Sequence, residues 1–171
     1  MTIFYVLSGQ GQRLGITFHG DDAVHRHYAR GQGQILMLAH MGSFEMLRGL
    51  GHDWGELRLR ILMDRAAGAK MNTVLERINP ALSEMLIDTS ESDVDRILRV
   101  REALGRGEIV CLMGDRCLPG ERYTHCDFLG ARAAFPLSPW LLAAMMRVPV
   151  VMGLGLYRGD NRYTLHFEEL S

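Results

Sequence analysis

Apolar residues along the chain fall into short runs that alternate with longer segments of helical period, the pattern of an α/β domain. Residues 34–39 (Gln-Ile-Leu-Met-Leu-Ala) run apolar without alternation, which predicts a strand covered on both faces, entered from the turn-forming Gly31-Gln32-Gly33. Residues 108–113 (Glu-Ile-Val-Cys-Leu-Met) predict a second such strand. Over 57–63, Leu57, Leu59 and Ile61 alternate with Arg58 and Arg60, the period of a strand with one wet face. A short strand is predicted over 84–87. Val94, Ile97, Leu98, Arg101 and Leu104 share one helical face, with Ser92 or Asp93 as cap and Gly105 as stop. Further helices are predicted over 43–50, capped by Ser43, over 67–78, and over 136–146. Residues 124–128 and 131–135 form hairpin arms around Leu129-Gly130. Residues 149–157 and 162–167 form strands joined by Gly159-Asp160-Asn161. The fold expected is α/β: one domain with a mixed central sheet flanked by helices. Residues 1–30 are set apart as an N-terminal segment and 31–171 as the core.

Composition narrows the functional classes. The chain has 171 residues, 47% hydrophobic and 23% charged, enough for one substantial core. Its net charge of -1 provides no basic stripe, so nucleic acid is not expected as a partner. Lys70 is the only lysine, and arginine suits bidentate binding of phosphate or carboxylate. Three widely spaced cysteines, Cys111, Cys117 and Cys126, suggest a reducing compartment rather than a disulfide framework. No Cys-x-x-Cys pair is present, and no metal is expected. His19, His25 and His27, among Asp21 and Asp22, read as an exposed polar segment. The longest apolar run, 141–156, contains Arg147 and Pro149 and is too short to span a bilayer. A secretory leader is not visible.

The candidate chemistry lies where strands end in polar residues. Ala39-His40 closes one buried strand and Gly114-Asp115-Arg116 the other. Ligands in open α/β sheets bind beyond the carboxyl ends of strands, so His40, Glu45, Asp115 and Arg116 are expected along one edge, with Asp64-Arg65 as a third pair. Glu45 falls in the first turn of the helix after His40, where the helix dipole favours a carboxylate. A carboxylate beside an imidazole holds one tautomer and makes the other ring nitrogen more basic, which is a catalytic triad without its serine. Spacing alone supports equally an ordinary strand-end histidine and an ordinary helix-start acid.

The segment Ile35-Leu36-Met37-Leu38-Ala39-His40-Met41-Gly42-Ser43-Phe44-Glu45 resembles the active-site segment of the lipid A biosynthesis acyltransferase family, within the lysophospholipid and glycerolipid acyltransferase superfamily. His40 and Glu45 fit the superfamily's signature of His, four residues, then Asp or Glu. Ala39, where the glycerolipid branch usually has Asn, points to the lipid A branch. Met63-Asp64-Arg65, the stretch 107–116, Asp127-Phe128-Leu129-Gly130, 136–150 and 162–168 resemble further family elements in order. The resemblance implies an acyltransferase that moves a fatty acyl chain from an acyl carrier protein or coenzyme A thioester to a hydroxyl or amine of a lipid or glycolipid. No other cofactor is implied. It implies His40 as general base with Glu45 as its orienter, and Arg65, Asp115, Arg116, Gly42 and Ser43 as substrate-binding residues. It also implies a cytoplasmic protein, peripheral on the inner face of a bacterial inner membrane. Residues 1–30 are then expected as the remnant of a longer docking region. A non-catalytic acyl-lipid or carrier-protein binding module, or a thioesterase, are the alternatives.

Overall fold

The computed structural model describes residues 15–42, 57–64, 85–90 and 92–171. The predicted helices over 43–50 and 67–78 lie outside the described residues. In chain order the elements are β1 (Gly15–His19), α1 (Asp22–Ala29), β2 (Gln34–Gly42), β3 (Leu59–Met63), β4 (Leu86–Asp88), α2 (Asp93–Gly105), β5 (Ile109–Met113), β6 (Tyr123–Phe128), β7 (Ala131–Pro136), α3 (Ser138–Met146), β8 (Val150–Tyr157) and β9 (Arg162–Glu169).

Among the described residues, seven strands make one mixed sheet in the order β1-β9-β8-β2-β5-β3-β4. The five strands from β8 to β4 run parallel, β9 turns back antiparallel on β8, and β1 lies parallel to β9. Among the described residues, β6 and β7 pair with each other alone, as a separate antiparallel hairpin.

The unbroken apolar runs of β2 and β5 follow from their central place. Leu36, Leu38, Ile109 and Cys111 face one core with Ala23 and Val24 of α1. Ile35, Met37, Val110 and Leu112 face the other with Val100, Ala103 and Leu104 of α2 and Ala143 of α3. Covered on both faces, these strands have no solvent side on which a polar residue would be stable. The alternation over 57–63 is also explained: Leu57, Leu59 and Ile61 are buried, while Arg58 is exposed and Arg60 half-buried.

α2 begins where its cap predicts, with the Ser92 hydroxyl accepting the Asp95 N–H at 3.2 Å. Its last turn lies directly on the start of β2. A Cβ on Gly33 would sit 2.1 Å from the Leu104 carbonyl oxygen, so only glycine permits this approach.

In the histidine-bearing stretch before β2, His19 and His25 are exposed as expected, while His27 is not. β1 joins the sheet and α1 packs on it, burying His27 to 7% exposure. The His27 ring bridges two elements, with Nδ1 3.1 Å from Gln32 Oε1 and Nε2 2.7 Å from Glu169 Oε1. Arg26 also pairs with Glu169. The hydrogen bond from His27 holds the Glu169 carboxyl below its ordinary range, helped by the Arg26 charge. The stretch escaped sequence reading because β1 is an edge strand with only Ile16 and Phe18 turned inward, and α1 buries just Ala23, Val24 and His27.

Among the described residues no helix is long and apolar enough to cross a membrane, and no group of three or more His, Cys, Asp or Glu is placed to hold a metal ion.

Candidate active site

β2 and β5 are parallel neighbours in register from Gln34↔Ile109 to Leu38↔Met113, so their carboxyl ends emerge side by side. The ladder's next step is altered on both strands. On β2 the register against β8 jumps from Leu38↔Gly153 to Gly42↔Gly155, a bulge that contains Ala39, His40 and Met41. Bulges interrupt pairing and re-aim side chains, and here the re-aimed residue is His40. On β5, the Gly114 N–H still donates to the Leu38 carbonyl at 3.0 Å, after which the chain turns out through Asp115.

Asp115 then takes over from the backbone. One carboxylate oxygen, Oδ2, accepts the His40 main-chain N–H at 2.9 Å, and the other, Oδ1, lies 2.8 Å from His40 Nδ1. A carboxylate only accepts, so Nδ1 carries the proton in this pair. In the neutral ring the basic lone pair is then on Nε2, the nitrogen that Asp115 does not engage. The same carboxylate fixes the backbone of the bulge and the plane of the ring. Both side chains are partly open, His40 at 31% and Asp115 at 26% exposure, so a reacting group can reach the imidazole while solvent does not wholly screen the pair.

Gly114 permits the placement. A Cβ there would meet Met37 Sδ at 2.6 Å and approach Trp140 of α3 at 3.5 Å. Met37 is 1% exposed, so its sulfur has no room to withdraw without disturbing the core.

Of the residues predicted for the site, His40 and Asp115 are brought into contact. Gly42 ends β2 opposite Gly155, and Arg116 follows Asp115 exposed to solvent. Asp64 follows the last residue of β3, the neighbour of β5 in the sheet, at the same edge. Ser43, Glu45 and Arg65 lie outside the described residues. The resemblance implies a substrate role for Asp115; in the structure both of its oxygens are turned to His40. The available signal was the pair of strand ends; what was missing was the order that makes the two strands neighbours. Cys111, on β5, is not a rival nucleophile: burial pushes its thiol up to about 12, leaving no thiolate near neutral pH.

The family model described as bacterial lipid A biosynthesis acyltransferase matches residues 12–168. Compared with curated proteins, the chain matches none.

Proposed function

The chain belongs to the bacterial lipid A biosynthesis acyltransferase family, and from that premise we propose that it moves a fatty acyl chain from an acyl carrier protein or coenzyme A thioester to a hydroxyl or amine of a lipid or glycolipid acceptor. The observation that carries this reading is the 2.8 Å contact between His40 Nδ1 and Asp115 at the carboxyl ends of β2 and β5.

In this reading the acceptor's hydroxyl or amine attacks the thioester carbonyl carbon as His40 Nε2 takes its proton. The tetrahedral intermediate collapses by breaking the carbon–sulfur bond. The imidazolium returns the proton to the departing thiolate, so His40 ends neutral and ready for a second turnover. Asp115 is the positioning residue: it fixes the tautomer and stabilises the imidazolium while it lasts. Glu45, the signature carboxylate, keeps the role the resemblance implies, that of an orienter of His40. Arg116 and Arg65 are assigned to phosphate on carrier or acceptor, or to the oxyanion. Gly42 and Ser43 are assigned to the close approach of substrate. The protein is assigned to the inner face of the bacterial inner membrane.

Transfer from a radiolabelled acyl thioester to a lipid acceptor tests the reading. His40→Ala is expected to lower transfer by about 10²–10⁴-fold with the fold intact by circular dichroism. Full activity in that variant overturns the mechanism. Glu45→Gln, assayed beside it, is expected to lower the rate by orders of magnitude if Glu45 orients His40; an unchanged rate removes Glu45 from the chemistry. Release of free acid at the same rate without acceptor identifies a thioesterase instead.

A further inference from the structure

The hairpin of β6 and β7 is two-faced. The register pairs Thr124 with Phe135, Cys126 with Ala133 and Phe128 with Ala131, so these six side chains share one face, and none is charged. The opposite face carries Tyr123, His125, Asp127 and Arg132. An amphipathic hairpin normally lays its apolar face on a core. Here every β6 residue is exposed, and Phe128 and Phe135 contact each other edge to face at 5.6 Å.

The tip departs further from what stability alone favours. Leu129 and Gly130 have φ of 50° and 84°, the left-handed pair of a tight hairpin turn. Asn or Asp is the favoured residue at the first position, and leucine there is strained. Leu129 is also 92% exposed. A strained backbone that presents a leucine to water is explained by an apolar phase that receives it.

The neighbouring α3 has the same character. Its nine residues carry no charge, only Ala143 is buried, and Leu141 and Met145 are more than half exposed. The hairpin is fastened to it: the Leu137 N–H donates to the Arg122 carbonyl at 2.9 Å, and the Ser138 hydroxyl donates to Glu121. Residues 116–147 hold four arginines, Arg116, Arg122, Arg132 and Arg147, against two acids, Glu121 and Asp127, in a chain of net charge -1. Glu121 also accepts the Leu118 N–H.

We propose that the β6–β7 tip and the exposed side of α3 dock on an anionic lipid bilayer, with Leu129 and Phe128 entering the acyl-chain boundary and Arg122, Arg132 and Arg147 meeting lipid phosphates. The Asp127–Arg132 pair lies two residues from the tip, so insertion stops at about 5–10 Å, the depth of an interfacial element. Trp140 of α3 lies beside Gly114, which precedes Asp115, so the docked surface adjoins His40. The inference extends the acyl-transfer reading, because a lipid acceptor would then be met at the surface that carries it. Binding itself requires no transfer.

Flotation with vesicles tests it, using the full chain, a phosphatidylglycerol–phosphatidylethanolamine mixture and pure phosphatidylcholine. The wild type is expected to float with the anionic vesicles, to float less with phosphatidylcholine, and to be released by salt. Leu129→Asn supplies the favoured Asn-Gly turn, so its Tm should equal or exceed that of the wild type while partitioning falls roughly tenfold or more, the effect of withdrawing one leucine from hydrocarbon. His40→Ala should float as the wild type does, which separates failure of docking from failure of the chemistry. Wild-type protein that stays in the aqueous fraction, or Leu129→Asn that floats undiminished, overturns the proposal. Self-association in light scattering, abolished by Leu129→Asn without any vesicle binding, overturns it in favour of a second copy of the chain.

Discussion

β5 is flanked by two carboxylates with opposite fates. Glu108 precedes it at the amino end of the sheet, with a side chain only 3% exposed. Arg60 Nε donates to it at 2.6 Å and Arg106 Nε at 3.0 Å. Burial alone would push its pKa up, but the hydrogen bonds and charges of the two guanidinium groups overcome that and hold it at about 2. Asp115 follows β5 at the other end, more open, and its partner is a histidine. Arginine keeps its proton under ordinary conditions, whereas a neutral imidazole has a lone pair that can accept one. The same chemical group therefore fixes the sheet at one end and presents a proton acceptor at the other; the difference lies in the partner and in the access of solvent.

The sharpest way to break that comparison is Asp115→Asn. Its amide oxygen can still accept the His40 N–H, but its NH₂ group would face Nδ1 and favour the tautomer whose Nε2 is protonated. Transfer is expected to fall by about 10²–10⁴-fold, as kcat, with little change in Tm. A wild-type rate would reduce Asp115 to a structural role like that of Glu108. The converse is Glu108→Gln, which strands two guanidinium groups beside a neutral amide. A loss of about 2–4 kcal/mol is expected in chemical denaturation, with kcat per folded molecule unchanged.

The same variant carries a pH signature. The folded value of Glu108, about 2, lies below its ordinary 4.5, so its contribution is complete above about 4.5 and drains away as pH falls toward 2. Glu108→Gln should flatten that acid limb of the stability curve. A smaller effect is expected from Gly114→Ala, whose methyl group would press on Met37 Sδ. About 1–3 kcal/mol of destabilisation, with a drop in kcat from a shifted Asp115, would tie core packing to the site.

Much of the sheet was legible because burial on both faces leaves a strong mark. The start of β2, the run of β5, the Ser92 cap and the Leu129-Gly130 turn fall within a residue of where sequence placed them, while β2 runs on to Gly42, past the predicted end at Ala39. β1 and α1 were not legible, since an edge strand and a short helix bury too few apolar residues to show a period. His40 and Asp115 were each singled out, but their contact depends on β5 lying next to β2. Strand order arises from how crossovers pack, which local pattern does not encode. The bulge was equally hidden, because the apolar run of β2 stops at Ala39 and nothing in Ala39-His40-Met41 marks a shift of register against β8. The ion cluster at Glu108 was read only as the start of a strand.

The separation of His40 from Asp115 along the chain, 75 positions, has a consequence for how the protein comes to life. Closing a loop of that length is entropically costly, and the β2–β5 ladder must form before the cost is recovered. Local structure such as α2 or the β6–β7 hairpin can form far earlier, on microsecond timescales, without bringing the two side chains any nearer. Activity dependent on this contact is therefore a late event of folding, and during synthesis the imidazole waits for a carboxylate that has not yet been made.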